Sequence, residues 1–382
     1  MEMTQQMKAY LADSQEELKQ LIRDLCAIPA PSHHEEKRAA FCKEWFERNG
    51  GKGVYIDEAL NVICPHHVTE DGPVSVFMAH TDTVFPDMEP MPFIETEDTF
   101  ACPGVGDDTA NLAVMMICAK YFLQNNITPK TGILFVANSC EEGLGNLKGC
   151  RAIVKEFGSR MENFVTFDGG SLDHVTADAV GSHRYRVTVR TEGGHSWGAF
   201  GNRNAIHYLS SMIASLYAVK VPQEGNSRTT YNVGTISGGT SVNTIAQDAT
   251  MLYEYRSNNR VCLDKMKTMF ESIVQAYRNM GIEVEAELVG DRPCKGEVDP
   301  VKHQQLLELA YDSIRRVTGK EPILNVNGGS TDCNIPLSVG IPAICMGIVC
   351  YSGAHTRQEI LQLSSLPAGS EKCMDFLCHF FE

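Results

Sequence analysis

Apolar residues in the first half of the chain fall into short unbroken runs separated by stretches of helical period. The runs Val74 to Ala79, Ile133 to Ala137, Phe164 to Phe167 and, much later, Ile341 to Val349 have the composition of strands buried on both faces. Around them, Gln15 to Ile28 reads as an amphipathic helix stopped near Pro29 and Pro31, and a second helix is expected from about His34 to Arg48. Strand candidates follow at Val54 to Asp57 and Val62 to Cys64, and NLAVMMICAKYFLQ, Asn111 to Gln124, reads as a long apolar helix. Strand, helix, strand alternation predicts an α/β fold: a mostly parallel sheet with helices on both faces.

Near Val180 the pattern changes. Arg184 to Arg190 alternates polar and apolar residues, a helix is expected over Asn204 to Val219, strands over Tyr231 to Ile236 and Thr250 to Arg256, a helix over Leu263 to Met280 and a strand over Ile282 to Leu288. This β-α-β-β-α-β order with half-polar strands predicts an α+β unit with a small antiparallel sheet and its helices on one face. The α/β pattern then resumes with a helix from about Lys302 to Thr318. The expected organisation is a discontinuous first domain, 1–181 and 290–382, interrupted by an inserted domain, 182–289.

A length of 382 residues suits two cores better than one, and 43% hydrophobic residues suffice to fill them. The N-terminus is polar and helix-patterned, without the basic start and apolar core of a secretory leader, and no apolar run approaches the roughly 20 residues that cross a bilayer. The expected location is cytoplasmic. A formal net charge of −15 opposes binding to nucleic acid or to an anionic membrane. The 14 cysteines are scattered with no Cys-x-x-Cys pair, so they read as reduced thiols serving as small hydrophobes.

The chemistry gathers at the ends of the apolar runs. Glu141 and Glu142 follow Ile133 to Ala137; because successive strand residues point oppositely, one acid is expected to meet a metal while its neighbour moves a proton. His80 and Asp82 form His-Thr-Asp after Val74 to Ala79, a spacing that lets the carboxylate orient the imidazole. Asp107 and Asp108 precede the long apolar helix, where capping alone needs a single acid. Asp168 follows the third run and His355 the last. Each has a plain structural reading, as cap, turn or surface residue. Together, oxygen and imidazole ligands at the carboxyl edge of an α/β sheet describe a dinuclear metal hydrolase.

In this order the set resembles the M20 family of dinuclear zinc peptidases and deacylases: His-x-Asp, a Gly-rich turn with an Asp pair, Glu-Glu, an Asp or Glu, and a late His. The resemblance runs over nearly the whole chain. It implies that Asp107 bridges two zinc ions, with cobalt or manganese as alternatives, that His80 and Asp168 complete one site, and that Glu142 and His355 complete the other. It further implies that Glu141 is the general base acting on a water between the ions and that Asp82 orients His80. GGHSWGAFGNRNAI resembles the segment whose histidine, here His195, reaches a partner subunit's active site to stabilise the oxyanion, so a homodimer through the inserted domain is implied. NVGTISGGTSVNTI and YEYRS place Asn243 and Arg256 where relatives bind substrate, and GGSTD places Gly329 and Ser330 in a pocket loop.

Within the family, Asp rather than Glu at position 168 is similar to aminopeptidases and dipeptidases, and HTDTVFP with GGSTD resembles the tripeptide-aminopeptidase branch. Short peptides are thus the expected substrate, with an N-acyl amino acid deacylase or carboxypeptidase-type amidohydrolase as the alternative. Cys102, Thr109 and Asn111 depart from the family pattern and leave the substrate subtype open. Two readings from other classes are weaker. Gly143, Gly145 and Gly149 imitate a dinucleotide fingerprint, but Glu141 and Glu142 would face a pyrophosphate with negative charge. A catalytically inactive binding protein commonly lacks ligands or the base, and here all are present.

Overall fold

The computed structural model describes residues 1–325 and 329–382. Two compact units emerge, Met1–Asp178 with Glu297–Glu382, and Ala179–Gly296. The return to the first unit falls later than residue 290 because the last strand of the second unit, Glu283–Arg292, outruns its apolar stretch and Cys294 still packs in the second core.

The first unit is built on an eight-stranded mixed sheet whose centre is parallel. Val74–His80 lies between Gly132–Asn138 and Met161–Thr166, and Ala343–Met346 continues the parallel set. Val62–His66 joins antiparallel beside Gly132–Asn138, and His174–Thr176 antiparallel beside Ala343–Met346. The central strands Val74–His80 and Gly132–Asn138 are buried along their whole length. That is the consequence of continuous apolar runs, which leave no face for water.

Helix Asn111–Gln124 agrees with its expected limits and packs into the same core. Phe77 sits among Phe135, Phe167, Phe376 and Phe380, its ring centroid 4.8 Å from that of Phe380 in an edge-on arrangement. The C-terminal helix Leu366–Cys378 closes over the sheet at very short range, since a Cβ on Gly369 would collide with the Ile348 carbonyl. One turn later the buried Lys372 donates through Nζ to the carbonyls of Leu172 and Gly347, at 2.8 and 2.9 Å.

A second, four-stranded antiparallel sheet joins Ile94–Glu95, Thr99–Ala101, Tyr351–Ser352 and Ile360–Gln362. Strands of two or three residues carry no readable period, so the sequence gives no sign of them.

In the second unit Thr229–Gly238, Asp248–Ser257, Gly181–Arg190 and Glu283–Arg292 pair antiparallel in that order. Alternate residues Tyr185, Val187, Val189, Met251, Tyr253 and Tyr255 form one buried face with residues of helices Ala205–Tyr217 and Arg260–Asn279. Each helix begins on an asparagine whose side chain accepts backbone N–H groups, Asn204 from Ile206 and His207 and Asn259 from Cys262. All 14 cysteines are free thiols, buried except for the half-buried Cys350. Among the described residues no helix is long and apolar enough to cross a membrane.

Burial lowers the Lys372 ammonium from 10.5 to about 7. Between those values the unfolded chain holds a proton that the folded chain has released, so Lys372 makes stability rise with pH across this window. Urea unfolding at pH 7 to 10 should show wild type gaining on Lys372→Met by up to about 1.4 kcal/mol per pH unit. Parallel profiles would show that the folded chain keeps Lys372 charged.

Candidate metal centre

The strand end at His80 provides the fixed point. His80 pairs in register with Asn138 on the neighbouring strand, and its N–H donates to Asp108 Oδ2 at 2.9 Å. Its ring Nδ1 lies 3.0 Å from the carbonyl of Asp82, and Nε2 lies 3.2 Å from Asp107 Oδ1. A proton donated from Nδ1 to that carbonyl would leave Nε2 free as a ligand.

Asp107 occupies a Gly-rich turn between Gly104, whose φ of 77° is left-handed, and the helix at Asn111; its bond to Asp108 is cis. Its two oxygens meet different imidazoles, Oδ1 facing His80 and Oδ2 facing His355 Nε2 at 3.1 Å. His355 Nε2 also lies 3.1 Å from Glu142 Oε1. Asp108, the second acid of the pair, turns instead to the His80 backbone, and burial pushes its carboxyl well up.

The acid pair is placed differently from expectation. The strand ends at Asn138, and a left-handed Cys140, φ 56°, turns the chain before Glu141 and Glu142. The expected opposition of the two side chains therefore fails, because the pair does not lie on a strand. Ligand atoms of His80, Glu141 and Glu142 all come within 4.8 Å of one another. The turn is held by carboxylates, Glu141 N–H donating to Asp82 Oδ1 and Glu142 N–H to Asp82 Oδ2, both at 3.0 Å, while Cys140 N–H donates to Glu35 Oε1 at 2.9 Å. Asp82 thus acts on the acid pair as well as on His80.

Two further groups satisfy the same 4.8 Å condition: His80, Asp107 and Asp168, and Asp107, Glu142 and His355. Asp107 belongs to both. Asp168 lies two residues past the end of Met161–Thr166, its N–H donating to the Met346 carbonyl.

The electrostatics follow from crowding acids away from water. Burial, then the charge of Asp107, raises Asp168 to about 7, and burial raises Glu142. Burial also works against the charge on Asp107, but hydrogen bonds from His355 and His80 outweigh it and hold this carboxyl below its usual range. Hydrogen bonds to Asp107 and Glu142 raise His355 to about 10. Converging buried carboxylates with two imidazoles form an oxygen and nitrogen donor set that fits divalent cations.

Residues 76–379 match the family model described as Peptidase family M20/M25/M40. The chain belongs to this family. It is accordingly an enzyme that hydrolyses peptide-type bonds. An uncharacterised protein of Bacillus subtilis is 25% identical over 91% of this chain and 94% of its own length. A succinyl-diaminopimelate desuccinylase of Pseudomonas syringae is 25% identical over 77% of this chain and 79% of its own. The structure of a tripeptidase from Staphylococcus aureus superposes with a TM-score of 0.72, covering 95% of this chain and 97% of that one at 22% identity, which is a likeness of fold.

In the second unit, His195 pairs with Thr244, and Ser196 N–H donates to the Asn243 carbonyl, so His195 and Asn243 are neighbours. Arg256 stands near the far end of strand Asp248–Ser257, ion-paired with Glu254 at 3.0 Å. In the first unit Gly329 is exposed and Ser330 half-buried, while the following Asp332 is fully buried and accepts from Asn138 Nδ2 at 2.6 Å. The supporting residues Glu35 and Glu359 escaped the sequence reading, since each is a single acid outside any ligand-like spacing, and Asp332 and Asn111 were noted only as part of GGSTD and as a departure from the family pattern.

Proposed function

We propose that this enzyme is an aminopeptidase acting on short peptides through two divalent cations, most consistent with zinc. The observation that carries this reading is the sharing of Asp107 by two ligand groups, His80 with Asp168 and Glu142 with His355. A single carboxylate common to two sets of oxygen and imidazole donors is the arrangement a bridged pair requires. Cations bound there would acidify the attacking water, polarise the scissile carbonyl and stabilise the developing oxyanion.

The chain supplies the proton traffic. Glu141 is the general base: it takes the proton of the attacking water and delivers it to the leaving nitrogen. Its carboxylate is buried, close to His80 and Glu142, and its backbone is pinned by Asp82. Asp108 fixes the His80 backbone, and Asp82 accepts from two N–H groups and the Ser32 hydroxyl, so the base and the first imidazole move little relative to one another.

His195 is suited to a donor's role. Backbone N–H groups of Trp197 and Gly198 point at its Nδ1, at 3.2 and 3.4 Å. Nδ1 is therefore an acceptor, which puts the proton of the neutral ring on Nε2. That N–H would hydrogen-bond the substrate oxyanion in the active site of a second copy. The ten-residue strand Thr229–Gly238 supports a homodimer, because it is a sheet edge paired on one side only and exposed over its last five residues. Asn243, next to His195, and Arg256 would hold the substrate backbone or its carboxylate, and Gly329 and Ser330 would line the pocket.

Asp168 favours peptides over acylated amino acids, while the relative described as a succinyl-diaminopimelate desuccinylase supports the deacylase alternative. The two readings differ in the group that enters beside the scissile amide, a free amine or an acyl chain.

Glu141→Gln should keep two cations per chain by elemental analysis and lose about 10²- to 10⁴-fold in kcat. Loss of a cation in this variant would make Glu141 a ligand instead. Di- and tripeptides with a free N-terminus should be cleaved and their N-acetylated forms left intact; faster turnover of acetylated amino acids by kcat/KM would establish the deacylase. His195→Ala should lose about 10²- to 10³-fold while remaining metallated and dimeric. Reassociation with Glu141→Gln should then restore part of the activity, because one site of the mixed dimer combines an intact base with an intact donor. Mixed dimers that form yet stay inactive would confine His195 to its own subunit or remove it from catalysis.

A further inference from the structure

Glu359 stands four residues after His355 and is almost fully buried, 1% exposed. Its carboxylate accepts three main-chain N–H groups of a single turn: Oε1 from Gly106 at 2.7 Å and Asp107 at 2.8 Å, and Oε2 from Gly104 at 2.9 Å. Its own backbone is anchored as well. The Glu359 carbonyl accepts Cys102 N–H, and the strand that follows, Ile360–Gln362, pairs with Thr99–Ala101.

Three convergent N–H groups form a concavity suited to an anion, and here a side chain of the protein fills it. The location carries the inference. Asp107 must present one oxygen to His80 and the other to His355, each at about 3 Å, so a small rotation of its turn would lose one of the two. The turn is clamped by a residue whose main chain continues back to His355 through the tight loop Gly353–Gln358, closed by Thr356 N–H on the Gly353 carbonyl. One side chain therefore sets both the orientation of Asp107 and its separation from His355. An apolar residue in this place would leave three main-chain N–H groups of the turn without an acceptor, so it is the carboxylate that holds the turn.

We propose that Glu359 is a positioning residue that fixes Asp107 relative to His355 so that the two can hold a cation in common. This rests on the metal reading above. Glu359→Gln keeps size and shape but turns an amide N–H₂ or a weaker acceptor toward at least one of the three N–H groups.

The test uses the full-length chain, stripped of metal and titrated with Zn²⁺ and Co²⁺ against a chromophoric chelator, together with the visible spectrum of the Co²⁺ form and the Tm of the metal-free form. Glu359→Gln is expected to bind at least one cation about 10- to 100-fold more weakly and to change the Co²⁺ spectrum, as displaced outer partners of metal ligands do. Its metal-free Tm should stay within a few degrees of wild type. Wild-type affinities and an unchanged spectrum in a folded variant would overturn the inference while leaving the metal reading intact. A wild-type chain that takes up no cation would overturn the metal reading itself, and the inference with it. If Glu359→Gln does not fold, Glu359→Asp, which keeps the charge but withdraws it by one methylene, decides on the same readouts. Failure of both to fold would show that Glu359 holds the unit as a whole, against a role specific to Asp107.

Discussion

The first unit is organised around the cost of gathering buried carboxylates. Asp107 and Glu142 lie within 4.8 Å of both imidazoles, and Glu141 and Asp168 within 4.8 Å of that of His80. Left to themselves such groups repel, take up protons and loosen the chain that carries them. They are held by a second set of acids, each of which takes backbone N–H groups. Asp82 takes the N–H groups of Glu141 and Glu142, Glu35 that of Cys140, Glu359 those of Gly104, Gly106 and Asp107, and Asp108 that of His80. The side chains of His80, Asp107, Glu141 and Glu142 are aimed by main chain that a neighbouring carboxylate holds, while Asp168 is tied through its N–H to the Met346 carbonyl.

That arrangement needs a rigid floor, and the parallel strands provide it. His80 pairs with Asn138 at the strand end, and Thr166 pairs with Met78 two residues earlier, so the neighbouring strands end within two residues of one another. Residues just beyond the ends can turn toward each other, so Glu141, Glu142 and Asp168 come from turns past the strands while His80 ends a strand itself. Lys372 and Gly369 serve the same end from beneath. The helix that carries them sits close enough to hold the Leu172 and Gly347 carbonyls, next to the turn that follows Asp168.

The long elements were legible because their periods are long. Continuous apolar runs marked the central strands, and the apolar helix Asn111–Gln124 was bounded to the residue. The candidate residues His80, Glu141, Glu142 and Asp168 stood out for a related reason: they come at or just after those runs, where their types are unusual. What escaped were short-range devices. The two- and three-residue strands around Thr99–Ala101 and Ile360–Gln362 have no period, yet they carry Glu359 to Asp107. The turn at Cys140 was also invisible, since left-handed backbone at a non-glycine residue leaves no mark in composition. Missing it led to the expectation that Glu141 and Glu142 diverge, whereas the turn brings them together.

Cys102, Thr109 and Asn111, the departures from the family pattern, acquire a physical meaning from their places. All three are buried. Asn111 donates to the carbonyls of Gly106 and Gly169 and accepts Ile348 N–H, which ties the Asp107 turn, the Asp168 turn and the end of the last central strand to one amide. Thr109 receives Arg38, a buried guanidinium that also donates to the carbonyls of Thr81, Leu25 and Ile28. Cys102 packs in the same core, and its N–H meets the Glu359 carbonyl. Groups in these positions lie behind the candidate ligands and bond to the turns that carry them, so variation there adjusts how those turns are supported. Choice among amide substrates has to arise where a substrate's ends make contact, because the cleavage chemistry is common to peptides and acylated amino acids alike.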